Sequence, residues 1–109
     1  MSTVSDSGSL TTDGTEQSLF SALNTAGSYV LVIDLNAMVN GDAIEVRIKR
    51  KARGADTVRT YIAQSFANLQ PEALLCSIPF AVHSTAAAAA TVTRVAGTDR
   101  AYPWALEKL

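Results

Sequence analysis

Six of the nine lysines and arginines, Arg47, Lys49, Arg50, Lys51, Arg53 and Arg59, fall in one short stretch, while the acids are scattered from Asp6 to Glu107. On a regular strand Arg47, Lys49, Lys51 and Arg53 would share one face as a row, with Arg50 opposite. A row of cations can contact phosphates, dock on an acidic protein surface, or stay solvated and keep a sheet edge from pairing. Binding of single-stranded nucleic acid also calls for aromatic platforms among the charges, and only Tyr61 and Phe66 lie nearby. A solvated edge or a protein interface is therefore the expected use of this stretch, and nucleic acid the lesser alternative.

The remaining chemistry-bearing residues are isolated. Nucleophilic catalysis needs a base beside the nucleophile and a third group to orient it, and the single histidine, His83, has no motif around it. The single cysteine, Cys76, sits in the apolar run Leu74-Leu75-Cys76-Ser77-Ile78 and reads as an inert core thiol. One cysteine and one histidine cannot build a zinc cluster or an intrachain disulfide framework. Asp34 and Asp42 flank one turn, where aspartates serve local hydrogen bonding more often than acid–base chemistry. Gly14, Gly27, Gly41, Gly54 and Gly97 fall singly at turns and form no phosphate-cradling loop. The expectation is a protein that is not an enzyme and carries no cofactor and no metal.

The elements that must position these groups read as strands. A chain of 109 residues suits one domain with one core. Its apolar fraction of 48% against 17% charged residues exceeds that of an average soluble domain, a modest pointer to self-assembly. The net charge of −1 gives no global attraction to nucleic acid or an anionic membrane. No stretch has the basic-then-apolar pattern of a signal peptide or reaches the ~18 apolar residues of a membrane helix, so a soluble protein of a reducing compartment is expected.

Residues 1–15, rich in Ser, Thr, Gly and Asp, have the composition of a flexible N-terminal arm, and residues 16–109 are expected to form the folded domain. Ser28 to Leu35 is apolar on both parities until Asp34, the pattern of a central strand covered on both sides or of one with a side covered by a partner. Ala43 to Arg53 alternates Ile44, Val46 and Ile48 with Ala43, Glu45, Arg47 and Lys49, and Thr57 to Asn68 returns as its antiparallel partner after a turn at Gly54 to Asp56. Leu74 to Val82, Thr91 to Ala96 and Arg100 to Leu106 read as further strands. The last, holding Pro103, should lie at an edge or carry a bulge. The alanine run Ala86 to Ala90 is too short for a stable helix and reads as extended or loop. The expected fold is all-β, a single β-sandwich or small jelly-roll-like barrel of about seven to eight antiparallel strands.

Several stretches together resemble a group of small tailed-bacteriophage virion proteins. They are Gly14-Thr15-Glu16, Ala26 to Leu31, Asp34-Leu35-Asn36, Gly41-Asp42, Glu45 to Ile48, and Ala96 to Trp104 with its Gly-Thr, basic residue, aromatic and Pro-Trp. The resemblance implies a β-sandwich component of the particle, made in the host cytoplasm. A capsid decoration (cement) protein binding the major capsid protein on the outer shell is favoured, and a head–tail or tail accessory protein is the alternative. It also implies a homo-oligomer, possibly a trimer, with no membrane partner. The expected interface residues are Leu10 and Thr11 on the arm with Arg47, Lys49, Arg50, Lys51, Arg53 and Arg59 on the hairpin. Trp104 is expected to fill the core rather than anchor a partner.

Overall fold

Strict alternation along Ile44, Val46 and Ile48 dictates a strand with one buried face, and in the computed structural model all three are almost completely buried while their neighbours are half-exposed. The structure describes residues 3–20, 23, 25–53, 55–72, 74–77, 79–83 and 87–109, with backbone alone at Leu75 and Cys76. The expected turn residue Gly54, part of the alanine run and the Cys76 thiol therefore lie outside the described residues.

The described residues form nine strands: β1 (Thr3–Thr11), β2 (Glu16–Ser18), β3 (Gly27–Asp34), β4 (Ala43–Arg50), β5 (Arg59–Ala67), β6 (Leu74–Cys76), β7 (Phe80–Val82), β8 (Ala89–Ala96) and β9 (Ala101–Lys108). They make two antiparallel sheets packed face to face, the all-β sandwich expected. One runs β1-β9-β3-β6 with β7 also on β3, and the other runs β2-β8-β4-β5. β3 lies inside its sheet, between β9 and the pair β6 and β7, and β4 and β5 form the expected hairpin.

Between the sheets the two inner faces are complementary in size. One contributes Tyr29, Phe80, Tyr102 and Trp104, and the other Ile44, Val46, Ile48, Val92 and the small Ala90. Trp104 is in the core, tilted against Phe20 at 6.1 Å between ring centres. Ala88 and Ala90 are fully buried, and Ala88 to Ala90 is bridge and strand whose small side chains permit close packing.

Three expectations are corrected. Residues 3–11 are a strand and not a flexible arm: β1 pairs with β9 from Thr3↔Lys108 to Thr11↔Ala101. Composition misled because β1 is held through its backbone, with every side chain from Thr3 to Ser9 exposed. The strand carrying Pro103 is not an edge strand, since β9 lies between β1 and β3. The β3 ladder stops at Ile33↔Trp104, so a residue without an N–H sits beyond the last bonded pair on that side. Finally, Leu74 to Val82 is two short strands, both on β3. At the break the buried Ser77 exchanges bonds with Leu31: its N–H donates to the Leu31 carbonyl, and its Oγ accepts from the Leu31 N–H, both at 2.9 Å.

Candidate binding surfaces

The hairpin carries the basic stretch, but β4 ends at Arg50, so the row of four cations is not formed. Arg47 and Lys49 do share the outer face. Arg47 pairs with Glu45 on its own strand, and Lys49 reaches Glu16 of β2 at 2.8 Å. Glu16 also accepts from the Thr91 hydroxyl at 2.7 Å, and these two partners hold its carboxyl below the usual carboxylate range. Lys51 and Arg53 lie in the connection beyond the strand. Arg53 grips Asp56 through two bonds of 3.0 Å, which lowers the Asp56 carboxyl and raises the guanidinium. Half of the stretch, Arg47, Lys49 and Arg53, is thus locally neutralised by carboxylates of the same chain.

Arg50 and Arg59 meet at the hairpin tip, where they are register partners. The register of β4 and β5 steps from Ile48↔Ile62 to Lys49↔Thr60, leaving Tyr61 as the extra residue of a β-bulge. The bulge turns the Tyr61 ring under Arg50, whose guanidinium carbon lies 5.4 Å from the ring centre. Arg50 also donates to the carbonyls of Ala81 and Lys51, tying the tip to β7. His83 belongs to the same region, its Nε2 lying 3.1 Å from the Ala52 carbonyl. Between Arg50, Arg59, Tyr61, Thr57 and Thr60 opens a shallow cleft of about 690 Å³. Arg59 is exposed there.

Leu10 and Thr11, the other expected interface residues, are at the opposite pole. Leu10 packs on the core, and Thr11 is exposed beside Ala101 at the end of β1. The structure therefore gathers Arg50, Arg53 and Arg59 around the tip, leaves Arg47 and Lys49 on the outer sheet face, and places Leu10 and Thr11 at the far end.

That far pole holds a network invisible to local reading. Asp42 is buried, and its carboxylate accepts from the Val39 N–H at 3.0 Å, the Thr98 N–H at 3.1 Å and the Arg100 guanidinium. These donors, the backbone N–H groups first, bring its pKa down to about 2. Asp42 thus serves its own turn, as expected of a turn aspartate, but it also anchors a segment far away in the chain. Gly97 packs directly on it: a Cβ there would lie 2.6 Å from the Asp42 Cα and collide with its Oδ1, and φ is +87°. Thr12 and Arg100 exchange backbone and hydroxyl bonds alongside, and Arg94 pairs with Asp99. Asn68 and Asn40 fasten β5 to the same turn. Asp34 accepts from the Asn36 N–H at 2.9 Å and serves its turn alone.

Gly41-Asp42 and Gly97 to Arg100 meet at this pole, and Gly14 lies against the Arg94 side chain beside them. Among the described residues no three of His, Cys, Asp and Glu gather as a metal site would require. No protein-family model, no curated protein and no solved structure matches this chain.

Proposed function

We propose that this protein is a structural binding module of a virus particle, a capsid decoration protein that sits on the outer shell and stabilises adjacent major capsid subunits. The observation that carries the reading is β1. It is a nine-residue strand at a sheet edge, exposed on both faces from Thr3 to Ser9 and attached to the body by backbone pairing, and no described strand lies along its other side. Such a strand can lie against a neighbouring subunit without rebuilding the core. Placement on a virion rests on the resemblance of the quoted segments, two of which, Gly41-Asp42 and Gly97 to Arg100, meet at one hydrogen-bonded pole. A head–tail or tail accessory role is the alternative within this reading.

Copy number in purified particles tests it. Hundreds of copies per particle, with loss of shell stability when the protein is deleted, is the expected result. About a dozen copies or fewer would move it to the neck or tail, and absence from particles would overturn the reading. A nucleic-acid-binding role at the tip has one observation in its favour, the cleft joining Arg50 and Arg59 to the Tyr61 ring. The pairing of Arg47, Lys49 and Arg53 with carboxylates weighs against it.

A further inference from the structure

The two sheets have four edges, and three of them are protected. β2, β6 and β7 are only three residues long, and β1 carries Asp6, Gly8 and a register shift between Val4 and Asp6. Short strands, charges and bulges are the usual defences against unwanted pairing. β5 has only its bulge at Tyr61 and the charge of its first residue, Arg59. From Ile62 to Ala67 it is regular, uncharged and free of proline, and no described strand pairs with its outer side.

From Ile62 to Phe66 the β5 sequence is also symmetric in residue class about Gln64, small residues flanking it and large apolar ones beyond them. On the inward face Ile62, Gln64 and Phe66 alternate, all only half-buried, and on the outward face Ala63 and Ser65 flank the centre. Apolar side chains left half-open at the end of a core lack a neighbour on that side. Val58, Tyr61 and Leu69, at 39%, 52% and 61% exposure, extend the apolar surface past both ends of this regular run.

We infer that β5 is the seam of a homodimer, pairing antiparallel with β5 of a second copy about a two-fold axis at Gln64. That register sets Ile62 against Phe66 twice, a favourable aromatic and β-branched cross-strand pair. It sets the two Gln64 amides opposite one another, where each can donate to the other, and Ala63 opposite Ser65. Arg59 falls across from Leu69, so no like charges meet. A one-residue slip would place inward residues against outward ones. The two β2-β8-β4-β5 sheets become one continuous sheet with the open edge protected at its centre, an isologous contact that closes on itself. The inference stands independently of the virion reading.

Outward charges at Ala63 and Ser65 test the register. Sedimentation of the wild-type chain from about one to several hundred micromolar should show a monomer of 11.5 kDa passing to a dimer of twice that mass. The variant A63K/S65K sets lysine against lysine twice and should weaken the dimer at least about tenfold. A63E/S65K alters the same two positions but sets the introduced glutamate of one copy against the introduced lysine of the other. It should dimerise at least as well as wild type, with the advantage shrinking in salt. Circular dichroism and thermal melts of both variants separate loss of the seam from loss of the fold. A wild type that stays monomeric throughout, a trimer, or an A63K/S65K variant that dimerises as well as wild type would overturn the inference.

Discussion

The two poles of the sandwich handle charge in opposite ways. At the Asp42 pole, charged groups are drawn inward and shared among chain segments distant in sequence, with backbone N–H groups and one arginine converging on one buried carboxylate. At the hairpin tip, charges lie on the surface and pair with near neighbours, as Arg53 does with Asp56 three residues on, or cover an exposed ring, as Arg50 covers Tyr61. A buried carboxylate needs every donor it can find, because an unsatisfied one would face its full desolvation cost. Exposed ion pairs already have water as a partner and add little. The first pole should therefore serve stability and the second should be free to change.

The largest effect expected from breaking this contrast comes from Gly97→Ala. The new Cβ would collide with Asp42 and the Gly41 carbonyl at a backbone angle that side chains resist, and we expect a loss of about 3 kcal/mol in urea unfolding. A variant with wild-type stability would show that the pole yields easily.

Asp42→Asn comes next. With the folded pKa at about 2 and the ordinary value near 3.9, the Asp42 contribution is complete above about pH 4 and is lost as pH falls toward 2. The substitution should lower the melting temperature at neutral pH and flatten its decline in acid. Parallel acid curves for the two proteins would remove Asp42 as the cause.

At the tip the effects should be small and unequal. Arg50→Ala removes the contact with Tyr61 and the bonds to Ala81 and Lys51, and should cost about 1 kcal/mol. Arg59→Ala, at an exposed position, should stay within about 0.5 kcal/mol of wild type in the same melts. Equal losses at the two arginines would mean that the cleft is held as a unit.

What could be read from the chain followed physical range. Alternation in Ala43 to Arg50 is local, and so are the turn residues after it, so the hairpin, the all-β class and the buried β4 face were legible before any coordinates. The apolar character of both parities of β3 was legible too, and it left a central strand or a partner-covered one open. Edges were not legible, because an edge is defined by what a strand fails to pair with. Thr3 to Thr11 has the composition of loose chain and becomes a strand only because β9 presents an unpaired backbone to it. Pro103 argued for an edge or a bulge and proved compatible with an interior strand because the β3 ladder ends one residue away.

The candidate site divides in the same way. The clustering of Arg47 to Arg59 is plain in the sequence, and Thr57 to Asn68 reads as the returning strand, though nothing local marks it as an edge. That Lys49 would find Glu16, and that Asp42 would find Thr98 and Arg100, could not be read. Those partners are far apart in sequence and meet only through the register of non-neighbouring strands. The sequence by itself determined which residues must face a core and where the chain must turn, since both depend on side-chain type and spacing. Only the tertiary structure decided which cations remain available at the surface and which strand edge remains open, since both depend on what the rest of the chain brings alongside.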